Sequence, residues 1–162
     1  MIWQLTQAYH CSLFDVQAIM RIPLACLLLL STTVLSQPFS LNDRYKKFIE
    51  QHINAQMSAN RCDAVINDRG ISKTGSNECK ETNTFILSTT GHVRAICEGA
   101  GVPYGDMTRS TIPFPVVICS LKNSGARLRH CQYRGRPSTS YIAIRCENRL
   151  PVHFDRDIVV VN

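Results

Sequence analysis

Apolar and polar positions along the chain fall into three regimes. Residues 24–30, LACLLLL, form an unbroken apolar run. After Asn42 and Asp43, both N-cap residue types, the stretch RYKKFIEQHINAQM sets Tyr45, Phe48, Ile49, His52, Ile53 and Met57 close together at helical spacing. That pattern predicts an amphipathic helix of about three turns over 44–57. A second short helix is predicted over 60–67, with Asp68-Arg69-Gly70 stopping it because glycine accepts the left-handed conformation at a helix end. From Cys79 onward the pattern changes to short runs rich in Thr, Val, Ile and Tyr. Strands are predicted over 92–98, 107–112, 115–122, 126–133, 139–147 and 152–161, separated by turn signals at Glu98-Gly99-Ala100-Gly101, Asn123-Ser124-Gly125 and Arg134-Gly135-Arg136-Pro137. Helices first and antiparallel strands after is an α+β layout.

The leading apolar run reads as targeting. Met20 and Arg21 precede it, and Ser31-Thr32-Thr33-Val34-Leu35-Ser36 follows, which is the charged, apolar and small-residue order of a secretory signal peptide. Val34 and Ser36 suit the positions before a cleavage point, so the mature chain is expected to begin at Gln37. Residues 1–19 precede a second start at Met20 and are expected to be an extension. The predicted organisation is therefore 1–36 as leader and 37–162 as a single domain, in keeping with a total of 162 residues.

That division changes the meaning of the cysteines. Of eight, Cys11 and Cys26 fall in the leader, leaving Cys62, Cys79, Cys97, Cys119, Cys131 and Cys146. An even number in a secreted chain predicts three disulfides, whose pairing the spacing alone leaves open. No C-x-x-C pair occurs, and the wide gaps suit bridges better than a zinc cage, so neither metal nor cofactor is expected. The net charge of +6 survives trimming, because the leader removes one base, Arg21, and one acid, Asp15. A moderately basic domain points to an anionic partner.

Candidate chemistry centres on histidine. His52 shares a helix face with Phe48 and Ile49, which sets an imidazole against the edge of the core. His153 lies in Leu-Pro-Val-His-Phe-Asp, where strand alternation places Val152 with Phe154 on one face and His153 near Asp155. A carboxylate close to an imidazole fixes its tautomer and orientation. For His92 and His130 a structural role is the simpler reading.

Three separated motifs then agree in order. Gln51-His52, the segment Cys79-Lys80-Glu81-Thr82-Asn83-Thr84-Phe85 with its CKxxNTF pattern, and Cys146-Glu147-Asn148-Arg149-Leu150-Pro151-Val152-His153-Phe154-Asp155 resemble the pancreatic-type ribonuclease family. Ala95-Ile96-Cys97-Glu98, Cys131-Gln132-Tyr133-Arg134 and the six-cysteine complement are most similar to its angiogenin branch and the related secreted ribonucleases of fishes. The resemblance implies an RNase A-like fold, helices on a bent antiparallel sheet, and the pairing Cys62 with Cys119, Cys79 with Cys131 and Cys97 with Cys146. It implies cleavage of single-stranded RNA 3′ of pyrimidines, with His52 as general base, His153 as general acid and Lys80 stabilising the transition state. Gln51 and the main chain at Phe154 would bind the phosphate, Lys47 a flanking phosphate, Thr84 the pyrimidine and Glu147 the following base, while Asp155 would orient His153. A monomer is implied, with RNA and a ribonuclease inhibitor as partners and with nuclear or nucleolar entry after uptake.

Departures from the family pattern are specific. Glu50 stands where digestive relatives carry a cation, and Arg156 stands where mammalian angiogenins carry a glutamine that obstructs the pyrimidine site. Asp68 interrupts the arginine cluster used for nuclear entry, leaving Arg69, and residues 98–110 share little with the angiogenin cell-binding loop. Arg127-Leu128-Arg129-His130 and Arg134-Gly135-Arg136 add basic clusters outside the motifs. They are readable as a solvated face, as a track for RNA phosphates, or as a contact for bacterial membranes and cell-surface polyanions. The last gives a competing function: a basic, disulfide-stapled protein with weak catalysis that kills bacteria or signals to vascular cells independently of it.

Overall fold

The computed structural model of the chain describes residues 40–160. The leader, the start at Met20 and the boundary at Gln37 lie outside the described residues. Helix α1 (Leu41–His52) starts earlier than the sequence pattern indicated: Ser40 is the N-cap, its Oγ accepting from the Asp43 backbone N–H at 3.1 Å and donating to the Asp43 carboxylate at 2.7 Å. This reciprocal capping satisfies a first-turn donor and puts an acid at the positive helix end. It ends at His52 because Ile53 turns extended and bridges Ile86, so Met57 packs into the core from outside the helix.

A 3₁₀ turn (Ala59–Arg61) leads into α2 (Cys62–Asp68), and Gly70, at φ 63°, ends it as expected. There follow β1 (Thr82–Ile86), α3 (Thr90–Ala95), a π-type turn (Ile96–Ala100), β2 (Gly101–Tyr104), β3 (Met107–Ser110), β4 (Phe114–Leu121), β5 (Tyr133–Glu147) and β6 (Leu150–Val159). Three sequence readings are corrected. The strand predicted over 92–98 is α3 and its turn, started by Thr89, whose Oγ1 accepts from the His92 backbone N–H at 3.3 Å. The strand predicted over 126–133 is mostly loop. The turn predicted at Arg134-Gly135-Arg136-Pro137 lies inside β5. Gly135 is needed there because the backbone of Ala59 passes so close that a Cβ would sit 2.1 Å from its carbonyl oxygen.

All strands are antiparallel in one sheet. β5 is its spine: its first half pairs with β4, its second with β3 and, along the opposite edge, β6. Alternation along β1 and β4 sends Phe85, Val117 and Cys119 to one face with α2, and Ile86, Val116 and Ile118 to the other with Phe48 of α1. Cys62–Cys119, Cys79–Cys131 and Cys97–Cys146 are the three disulfides, with Cα separations of 5.8, 5.6 and 5.5 Å. Each closes a loop of some fifty residues, worth about 4 kcal/mol on the chain-entropy model. No helix among the described residues is long and apolar enough to cross a membrane.

Candidate active site

Where α1 lies against β6 and the entry to β1, a cavity of about 360 Å³ opens. Arg44, Lys47, Phe48, Gln51 and His52 line it from α1; Lys80 and Thr74 from the β1 side; Val152, His153 and Phe154 from β6. Residues at positions 44, 47, 48, 51 and 52 share one helix face, which explains why one turn pattern supplies half of the wall. No carboxylate lines the cavity among the described residues, whereas three cationic side chains and two imidazoles do.

His52 is buried, its ring stacked on Phe154 at a 4.8 Å centroid distance and tilted against Phe48 at 5.4 Å. Its Nδ1 donates to the Thr84 carbonyl at 2.8 Å. Because a carbonyl only accepts, that bond fixes the proton on Nδ1 and leaves the lone pair on Nε2. Burial first, then the Lys80 charge and least of all His153, bring the pKa down to about 3 against the opposing hydrogen bond to the Thr84 carbonyl. His52 is thus a neutral base at physiological pH.

Lys80 sits just before β1 and is half-buried. Nζ donates to Asn83 Oδ1 at 3.0 Å, and Asn83 Nδ2 donates to the Gln51 carbonyl at 2.8 Å. The Tyr133 hydroxyl holds the Lys80 carbonyl at 2.8 Å. Burial first and Lys47 second lower the Lys80 pKa. Asn83, only 1% exposed, was singled out by no sequence reading, although a buried asparagine inside a strand that is otherwise apolar or Thr-rich is the signal that points to it.

β6 departs from regular alternation. Its register with β5 shifts between Ala143 and Ile144, leaving Asp155 unpaired, and again between Arg145 and Cys146, leaving Val152 unpaired. Val152, His153 and Phe154 all line the cavity, and the bulge at Val152 breaks the alternation expected to pair it with Phe154, while His153 and Phe154 keep consecutive register partners. The turn between β5 and β6, Asn148 and Arg149 at φ 47° and 65°, is a left-handed two-residue connection that fixes this hairpin. His153 is exposed, and its imidazole makes no hydrogen bond among the described residues.

Three expected site residues stand outside the cavity lining. Thr84 is buried, with its carbonyl committed to His52. Glu147 binds Arg44 through both carboxylate oxygens, one at 2.8 Å from Nη1, and this hydrogen bonding holds its carboxyl below the usual range. Asp155 accepts from Arg156 Nε at 2.6 Å, and no hydrogen bond joins it to His153. Arg69 is also engaged, donating to the carbonyls of Glu50 and Ile53 at 2.8 and 3.0 Å, so it ties down the end of α1 that carries His52.

A neutral base on a helix, an exposed imidazole on a strand opposite and a half-buried cation are the parts needed to move two protons around a phosphodiester. The chain belongs to the pancreatic ribonuclease family, whose model matches residues 43–155. It is a ribonuclease, and RNA is its substrate. Among its relatives, Ribonuclease-like 3 of Danio rerio is 37% identical over 139 residues, covering 83% of this chain and 92% of that protein. Angiogenin-4 of Mus musculus is 36% identical over 142 residues, covering 85% and 94%. The solved structure of zebrafish RNase5 superimposes with a TM-score of 0.69 at 44% identity, covering 73% of this chain and 97% of that one.

Proposed function

We propose that this protein is a secreted endoribonuclease of the angiogenin-like branch that cleaves single-stranded RNA 3′ of pyrimidines. The observation that carries the reading is the hydrogen bond from His52 Nδ1 to the Thr84 carbonyl, which presents the Nε2 lone pair beside Lys80 and opposite His153. RNA contains its own nucleophile. His52 Nε2 takes the proton of the 2′-OH, the 2′-oxygen attacks phosphorus, and His153 protonates the departing 5′-oxygen, giving a 2′,3′-cyclic phosphate. In hydrolysis the roles reverse: His153 takes a proton from water and His52 returns one to the 2′-oxygen.

Negative charge gathers on the phosphoryl oxygens during both steps. Lys80 stabilises it from a half-buried position, where a fixed cation counts for more than in water. Gln51 and the Phe154 main chain would hold the same phosphate, Lys47 a neighbouring one, and Thr84 the pyrimidine. Asp155 and Glu147 would act on His153 and on the following base, each only after giving up part of its present arginine contact. Secretion, angiogenic or antibacterial activity and nuclear entry belong to the same branch-level reading.

A second reading has its own observation. Lys122, Arg127, Arg129, Arg134 and Arg136 are exposed and make no ion pair or side-chain hydrogen bond among the described residues, whereas Arg44, Lys73, Arg94, Arg145 and Arg156 each hold a carboxylate. Unpaired cations gathered within 122–136 favour contact with a polyanion, either an RNA backbone or a bacterial surface.

Product analysis tests the main reading. Uridylyl- and cytidylyl-adenosine should yield 2′,3′-cyclic phosphates in the presence of EDTA, while adenylyl-adenosine and DNA stay intact. Cleavage of DNA, or loss of the reaction with EDTA, would overturn it.

A further inference from the structure

We infer that Arg156 is a positioning residue that competes with His153 for the carboxylate of Asp155 and so sets how firmly the imidazole is held. The inference rests on the reading of His153 as the general acid. In a regular strand, side chains at 155 and 156 would point to opposite faces. Here Ala143 pairs with Arg156 and Ile144 with Phe154, so Asp155 is the extra residue of a bulge. The local bend brings the two neighbours together, and Arg156 Nε donates to Asp155 Oδ2 at 2.6 Å. The Asp155 side chain is 23% exposed and that of Arg156 64%, so the arginine reaches a largely covered carboxylate from outside.

His153, two residues before Asp155, has no acceptor for Nδ1 among the described residues. The charged groups around it are accounted for on each element. On α1 stand His52, Lys47 and Arg44, all cationic or basic and the last committed to Glu147, and before β1 stands Lys80. Across β5 its register partner is Arg145, held by Asp106 of the β2–β3 hairpin at 2.7 Å. Glu147, at the end of β5, is held by Arg44. Asp155 is thus the carboxylate left to serve His153, and Arg156 both neutralises it and fixes its direction. Proton donation depends on the ring's aim at the departing oxygen, so a carboxylate withheld from Nδ1 weakens that step alone.

The test compares two leaving groups on one uridine 3′-phosphodiester. Uridylyl-adenosine expels an alkoxide that needs a proton, whereas uridine 3′-(4-nitrophenyl phosphate) expels a phenolate that does not. With the full chain, Arg156→Ala should raise kcat on the dinucleotide about fivefold and change kcat on the nitrophenyl ester by less than about twofold. The gain should vanish in Arg156→Ala/Asp155→Asn. An unchanged dinucleotide rate, an equal change on both substrates, or a gain that survives the second substitution would overturn the inference. Failure of the underlying reading is visible separately, as near-normal dinucleotide turnover by His153→Ala.

Discussion

The Nδ1 of His52 donates to the carbonyl of Thr84 at 2.8 Å, so the middle of β1 sets the tautomer of an imidazole on helix α1. The residue proposed to read the base and the residue proposed to remove the 2′-proton are thus joined through a single backbone group. The ring gives up solvation in this position, since it is enclosed by Phe48 and Phe154.

That burial has a pH consequence for stability. Folding favours the neutral ring, whose pKa falls from 6.5 to about 3, so the folded chain binds fewer protons than the unfolded one between those values. Stability from this group is complete above about pH 6.5 and is lost as pH falls toward 3. Urea unfolding at pH 4.5 should show a loss of about 2 to 3 kcal/mol relative to pH 7.5 traceable to His52. A His52→Gln variant should lose correspondingly less over the same interval; equal losses in both proteins would refute the assignment.

The same shift predicts the acid side of the rate profile. Because kcat/KM reports the free enzyme, its acid limb should lie below pH 6.5, displaced toward the depressed value of His52. Stopped-flow or initial-rate measurements from pH 3 to 9 on uridylyl-adenosine decide this, and an acid limb at or above pH 6.5 would contradict it.

Asn83 links Lys80 to the Gln51 carbonyl and is almost fully buried. Asn83→Ala should cost about 1 to 3 kcal/mol of stability by leaving a buried acceptor unpaired. It should also reduce kcat by about tenfold, because the Lys80 ammonium no longer has a fixed direction. Thermal unfolding and steady-state kinetics on one preparation separate the two effects.

Salt dependence examines the face at 122–136. If Arg134 and Arg136 bind RNA phosphates, Arg134→Ala/Arg136→Ala should reduce the slope of log K against log salt on a long single strand by about 0.7 for each phosphate that is no longer neutralised. Cleavage of a dinucleotide should not change. An unaltered slope would leave bacterial surfaces as the partner for those cations, which binding to vesicles of phosphatidylglycerol would reveal.

The sequence carried the chemistry further than it carried the geometry. Cys79-Lys80 and Asn83-Thr84-Phe85, Gln51-His52 and the Cys146 to Asp155 stretch are contiguous runs of residue types, and such patterns survive in a linear reading. The end of α2 was legible at Gly70 for a similar reason, its φ of 63° favouring glycine. Other features depend on partners far along the chain. Gly135 resembled a turn residue, but Ala59 explains it. The Thr89 cap of α3 was masked by the β-branched residues around it. Bulges at Val152 and Asp155 are a property of pairing with β5, and alternation along β6 alone could not disclose them. Arg156 and Asp155 meet at one of those bulges.

Turnover by the two single histidine variants decides whether this pair of imidazoles moves the two protons. His52→Ala and His153→Ala, shown folded by their disulfides and circular dichroism, should each cleave uridylyl-adenosine at least about 10²-fold more slowly than the parent chain, as removal of a positioned base or acid requires. Near-normal turnover by either variant would overturn the assignment of base and acid.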